Sequence, residues 1–246
     1  MNRSTKKPYA KIAAAIASVA IVASIPNGAS AAQVDFSHWS NHIGIKAAPG
    51  ESNKISVSAA FDRQTPLVTV QIFDSSAQIE LTTRAQADCT KIGANGVVCR
   101  AAYQPWFEDQ IVADLDDGND EFSIDSQEGR TQTDGGLNAY VLAGSGNDRV
   151  ITGEGDDLVY GESGDDYVAA SDGANVVHGD RGNDFITGGN ATDSGLSTVY
   201  GNEGDDLIVG SNSNDTLNGG EGNDFINARN GGDTLDGGPG TDNLLG

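Results

Sequence analysis

The amino-acid sequence predicts an all-β protein whose C-terminal part is a parallel β-roll, a solenoid of stacked coils, preceded by a small β-rich cap. Three observations predict it. A nine-residue phrase recurs from residue 143 to the end, a large aliphatic residue keeps one fixed place in it, and the segment around that place is too short for a helix.

The phrase reads Ala143-Gly-Ser-Gly-Asn-Asp-Arg-Val-Ile151, then Thr152-Gly-Glu-Gly-Asp-Asp-Leu-Val-Tyr160, then Gly161-Glu-Ser-Gly-Asp-Asp-Tyr-Val-Ala169. Its pattern is Gly-Gly-x-Gly-x-Asp-x-U-x, with U aliphatic. The U position runs through Val150, Val159, Val168, Val177, Ile186, Val199, Ile208, Leu217, Ile226, Leu235 and Leu244, in steps of nine with a single step of thirteen after Ile186. The Gly-rich first six residues suit a turn with positive φ and close backbone approach. The last three suit a short strand with its middle side chain inward. Two turns and two strands close a coil of eighteen residues, so alternate repeats stack at about 4.8 Å.

Stacking also superimposes the aspartates of the sixth position. Between Val141 and Gly246 there are twenty acidic residues against three arginines and no lysine, in a chain of net charge −22. Such a stack repels itself, and a core of single aliphatic side chains does not offset that repulsion. A hard divalent cation with oxygen ligands answers both problems. Ca²⁺ suits the turns better than Mg²⁺ because it accepts six to eight oxygens in loose geometry.

Taken in alternation, the repeats define two edges. The first carries Asp148, Asp166, Asp184, Asp206, Asp224 and Asp242, each preceded at two residues by Gly; the second carries Asp157, Asn175, Ser197, Asp215 and Asp233. Two of the five on the second edge lack a carboxylate and Asn212-Ser-Asn-Asp215 lacks the Gly, so a strong Ca²⁺ row is expected along the first edge and a broken row along the second. The candidate ligands are these sixth-position aspartates, several ions in all, together with the fifth-position oxygens of Asn147, Asp156, Asp165, Asn183, Asp205 and Asn223.

At these residues the chain resembles the RTX, or haemolysin-type, calcium-binding nonapeptide family. The resemblance covers about a hundred residues and implies a right-handed parallel β-roll with Ca²⁺ between successive turns on the same side.

The outward strand positions also differ between the edges. Ile151, Tyr167, Phe185, Leu207, Val209, Phe225 and Leu245 form an apolar ladder on the first, and a stripe of that kind marks either a contact surface for self-association or a partner, or a face lying under the N-terminal segment. The other face carries Thr198, Thr216 and Thr234, too narrow an array for an ice-binding surface.

Residues 1–31 read as a secretory signal peptide. Arg3, Lys6, Lys7 and Lys11 form a basic segment, an apolar run spans Ile12 to Ile25, and Ala29-Ser30-Ala31 is an A-x-A cleavage site. The apolar run is too short for a membrane span. An exported chain meets calcium and an oxidising medium, where Cys89 and Cys99, the only cysteines, are expected to form a disulfide.

Residues 32–122 read as the β-rich cap. Strands are expected at Lys54–Ser58, Leu67–Phe73 and Ile79–Thr83, with a hairpin at Asn95-Gly96. The phrase Asp116-Asp-Gly-Asn-Asp-Glu-Phe122 imitates the repeats but falls out of their frame. An irregular join is expected over residues 123–142, with the roll at 143–246.

Catalytic signatures are absent. None of His38, His42 and His178 belongs to a His-Glu-x-x-His motif, Gly161-Glu-Ser-Gly-Asp fails as a nucleophile elbow at its fifth residue, and Asp114-Leu-Asp-Asp-Gly-Asn fails as an EF-hand loop. His38 and His42 could share one helical face but lack a third metal ligand. The acidity argues against nucleic acid and anionic lipid as partners. The expected function is that of a non-enzymatic, exported calcium-binding roll. An adhesion or matrix protein using the apolar ladder and a hydrolase with a site between Gln33 and Trp106 stand as alternatives.

Overall fold

The computed structural model describes residues 31–37, 42–47, 49–62, 67–76, 78–81, 89–102, 110–128, 137–189 and 195–246. Residues 1–30 of the signal segment, His38 and residues 190–194 of the thirteen-residue step lie outside these. The described residues contain 21 strands and no helix.

The eighteen-residue period becomes parallel pairing. On one sheet β10 (Asn138–Ser145), β12 (Leu158–Ser163), β14 (Val176–Arg181), β16 (Thr198–Glu203), β18 (Thr216–Glu221) and β20 (Thr234–Asp236) pair in order. On the other, β11 (Arg149–Ile151), β13 (Tyr167–Ala169), β15 (Phe185–Thr187), β17 (Leu207–Val209), β19 (Phe225–Asn227) and β21 (Asn243–Leu245) do the same. Repeat n therefore lies on repeat n+2, as Val150↔Val168 and Val159↔Val177 show. Each coil as far as Ile226 contributes one buried aliphatic from each sheet, so Val141, Val159, Val177, Val199 and Leu217 face Val150, Val168, Ile186, Ile208 and Ile226 in a single core, while Leu235 is partly buried and Leu244 exposed at the end of the stack. No one coil can bury both, which is why the coils stack.

The N-terminal part continues both sheets. Strand β8 (Gln110–Asp114) pairs in parallel with β10 and with β2 (His42–Lys46), and β9 (Glu121–Glu128) pairs in parallel with β11 and β3 (Lys54–Asp62). The phrase at 116–122 is out of frame in sequence but in register in space: Phe122 lies beside Val150, 28 residues on. The segment expected to be an irregular join is strand at both ends, in β9 and β10, and its centre at 129–136 lies outside the described residues. His42 opens a strand, and His38, the other member of the histidine pair, lies outside the described residues.

Beyond β2 and β3 the parallel stack stops. Strand β4 (Leu67–Asp74) is antiparallel to β3 and to β7 (Gly96–Ala102), β6 (Cys89–Lys91) is antiparallel to β7, and β1 (Ala31–Ser37) is antiparallel to β2 and parallel to the outermost strand β5 (Gln78–Leu81). Antiparallel strands joined by short turns can end a sheet that parallel coils would otherwise extend. The β6–β7 hairpin turns through residues 92–95, with Gly93 at φ 75°, one step ahead of the Asn95-Gly96 pair. Cys89 and Cys99 face each other across it, Cα atoms 4.0 Å apart, and form the disulfide. Among the described residues no helix is long and apolar enough to cross a membrane.

Candidate metal centre

Main-chain bonds join successive turns on either side of the fifth position, as from Gly146 N to Ser163 O at 2.8 Å and from Tyr167 N to Asp148 O at 2.8 Å, and side chains of the fifth and sixth positions add two opposed ladders between them. In the sixth-position ladder each aspartate accepts from the main chain one turn earlier. Asp120 N donates to Asp148 Oδ1 at 2.7 Å; Asp148, Asp166, Asp184 and Asp206 donate to Asp166, Asp184, Asp206 and Asp224 at 2.8 Å; Asp224 donates to Asp242 at 3.1 Å. In the fifth-position ladder the direction reverses. Asp165 N donates to Asn147 Oδ1 at 3.1 Å, Asn183 N to Asp165 Oδ1 at 2.8 Å, Asp205 N to Asn183 Oδ1 at 2.8 Å and Asn223 N to Asp205 Oδ1 at 2.6 Å.

The two ladders differ in what they leave over. The fifth-position side chains Asn147, Asp156, Asp165, Asn183, Asp205 and Asn223 are exposed. The sixth-position carboxylates are buried, and the Oδ2 atoms of Asp148, Asp166, Asp184, Asp206 and Asp224 have no hydrogen-bond partner. The structure thus gathers the sixth-position aspartates into one buried column and places the fifth-position residues outside it.

Glycine at the first position makes room for the second oxygen. A Cβ on Gly161, Gly179, Gly201 or Gly219 would come within 3.0 Å of the Oδ2 of Asp166, Asp184, Asp206 or Asp224, respectively. At the first three of these it would also come within 3.0 Å of the first-position carbonyl of the next turn, that of Gly179, Gly201 or Gly219. The fourth-position glycines serve the stacking itself: Gly164, Gly182, Gly204 and Gly222 have φ between 128° and 141°, and a side chain on any of them would collide with the carbonyl of the glycine one turn before.

Buried carboxylate oxygens without donors are costly, and the electrostatics register it. With no cation between the turns, burial pushes Asp148 and Asp184 up to about 6, Asp206 to about 7 and Asp166 to about 8, and neighbouring carboxylates add to the rise. The group that would relieve this is a hard cation bound by carboxylate and carbonyl oxygens, and the orphaned Oδ2 atoms beside glycine cradles fit Ca²⁺.

The second edge is built differently. Asp157 has a buried, unpartnered Oδ2, and burial raises its carboxyl to about 8. Above it the chain satisfies itself. Asn175 accepts from Asp157 N at 3.0 Å through Oδ1 and donates to Ser171 O at 3.0 Å through Nδ2. Ser197 Oγ donates to the Gly188 carbonyl. Asp215 has both oxygens occupied, Oδ1 by Ser197 N at 3.0 Å and Oδ2 by Ser211 N at 2.6 Å. Asp233 accepts from Asp215 N at 2.9 Å and, like Asp242, is only half-buried near the end of the stack. Ser211, standing where Gly occupies the second position, is the residue that sequence reasoning passed over; its four-residue spacing from Asp215 was the available signal.

Two outward columns flank the turns. Tyr167, Phe185, Leu207 and Phe225 stack in register, with Tyr167 and Phe185 rings 5.2 Å apart and the Arg149 guanidinium 4.2 Å over Tyr167. The described N-terminal strands extend this sheet at its end instead of covering the ladder. The opposite sheet carries Thr198, Thr216 and Thr234 in register and, beside them, a stack not anticipated from sequence: Tyr160, His178 and Tyr200, with ring centroids 4.8 Å apart.

Comparison with known proteins bears on the repeat region. The model of the RTX calcium-binding nonapeptide repeat, four copies long, matches residues 142–174, 170–195, 192–217, 200–235 and 209–244. No curated protein and no solved structure matches the chain. With the Gly-rich turns, the parallel coils and the inward aliphatic column all in place, residues 142–244 of this protein are an array of RTX calcium-binding nonapeptide repeats in a β-solenoid.

Proposed function

We propose that this chain is an exported, non-enzymatic calcium-binding protein whose solenoid orders when Ca²⁺ enters the first edge. The observation that carries the reading is the column of buried Oδ2 atoms on Asp148, Asp166, Asp184, Asp206 and Asp224. Each is a strong acceptor withheld from water and from protein donors, and a divalent cation bridging successive turns would satisfy it while cancelling the repulsion along the column. Binding free energy is then folding free energy. The second edge, with Asn175, Ser197 and Asp215 hydrogen-bonded to the chain itself, would hold its turns without a full row of ions.

Export rests on the basic and apolar segments before Ala29-Ser30-Ala31, and agrees with the Cys89–Cys99 disulfide. Mass analysis of the mature N-terminus tests it, with cleavage after Ala31 expected. Calcium-dependent order is tested by far-UV circular dichroism during a calcium titration of chelator-stripped protein. A rise in β signal that a chelator reverses is expected; a stripped protein with a full β spectrum and unchanged melting would overturn the proposal.

A further inference from the structure

We infer that the metal row does not begin with the repeats but one turn earlier, with a cation site between residues 115–120 and 143–148 whose carboxylate ligands are Asp120 and Asp148. Asp120 lies outside the family match, which starts at residue 142. The inference rests on the calcium reading above and extends it to a stretch that reading does not cover.

The turn at 115–120 repeats the architecture of those that follow. Gly118 has φ 135°, and the place of a side chain on Gly146 is taken by the Gly118 carbonyl, the approach that recurs at Gly164 over Gly146 and at Gly182 over Gly164. The fifth-position ladder starts here, with Asn147 N donating to Asn119 Oδ1 at 2.9 Å. The sixth-position ladder passes through without a break, from Asn53 N to Asp120 Oδ1 at 2.6 Å and from Asp120 N to Asp148 Oδ1 at 2.7 Å. Asp120 is 2% exposed and Asp148 3%, and the Oδ2 of each is buried with no hydrogen-bond partner. Two orphaned carboxylate oxygens on consecutive turns are what the repeats present at each later step of this edge from Asp148 to Asp224.

This rung differs from the later ones in its first position. Leu115 and Ala143 stand there, where later turns have the glycine cradle. The ion here lacks that space and should fill last. It would also fasten the N-terminal strands to the repeats, because Asp120 sits between β8 and β9, which pair with β2 and β3.

The test is calorimetric calcium titration of the full chain as wild type, Asp120→Asn and Asp206→Asn, with hydrogen exchange on the wild type. Asparagine keeps the Oδ1 acceptor of the ladder and removes the charge. Asp120→Asn should bind one ion fewer, losing the weakest step, while the remaining steps and the calcium-induced β signal persist. Asp206→Asn should lose ions from the stronger steps. In the wild type, amides at 119–123 should gain protection only at the last calcium step. An unchanged ion count in Asp120→Asn, or protection at 119–123 independent of calcium, would overturn the inference and leave the repeat sites standing. A wild type that binds no calcium would overturn both.

Discussion

Asp166 accepts the main-chain amide of Asp148, a full turn earlier, through one carboxylate oxygen at 2.8 Å and keeps the other buried with no donor. One side chain thus does two jobs. Its Oδ1 ties the two turns together through a bond that needs no metal, beside the main-chain bond from Tyr167 N to Asp148 O at 2.8 Å, and its Oδ2 is left as a candidate ligand at the depth that this stacking defines.

Removing the ligand on the first edge should cost ions, and on the second it should not. Asp184→Ala is expected to bind at least one calcium ion fewer by calorimetry. Asn175→Ala should bind the full number and lose only its two hydrogen bonds, about 1 kcal/mol of stability each. Equal losses of calcium from both variants would contradict the division into a metal edge and a self-bonded edge.

Filling a cradle should act on affinity and spare the strands. In Gly179→Ala the new methyl would compete for the space of Asp184 Oδ2 and the Gly201 carbonyl. Displacing them by a strain of about 1.4 kcal/mol corresponds to a roughly tenfold weaker site. Calcium titration should show the weakening, while the saturated spectrum matches wild type.

The response to pH should reverse sign with calcium. Without metal, Asp148 and Asp184 carry values of about 6, Asp206 about 7 and Asp166 about 8, against 3.8 for an ordinary aspartate. The folded form then holds protons that the unfolded chain releases between about pH 4 and pH 8, so metal-free stability should fall as pH rises through that window. With calcium bound, protons compete for the same oxygens and stability should fall as pH drops. Thermal melts at pH 5 and pH 8, each with calcium and with chelator, would show the crossing or refute it.

The core joins the cap to the roll. Phe122, fully buried beside Val150 and Ile55, belongs to the same cluster as Ile186 and Ile226. Phe122→Ala should cost about 3–5 kcal/mol and Ile186→Ala about 2–5 kcal/mol. In saturating calcium each should lower one common denaturant transition; two separate transitions would show that the cap and roll unfold independently.

The disulfide should matter to the cap and leave calcium alone. Closing a loop with a sequence separation of 10 contributes about 3 kcal/mol in the chain-entropy model. Replacing Cys89 and Cys99 with Ala should lower the melting temperature in calcium without changing the number of ions bound.

What the sequence by itself determined is everything carried by the nine-residue period. The inward column from Val150 to Ile226, the parallel stacking of alternate repeats, the two unequal edges and the positions of the sixth-place aspartates all follow from short-range spacing, and the coils have to stack because none can bury its own aliphatic residue. The tertiary structure alone decided what depends on long-range registration. Asn53, Asp120 and Asp148 share one column across separations of 67 and 28 residues, which no period announces. The same is true of the division of labour between Oδ1 and Oδ2, and of the outward placement of Asn147, Asp165 and Asn183: adjacent oxygen-bearing residues look equivalent in sequence, and only the path of the turn sends one into the stack and the other to water.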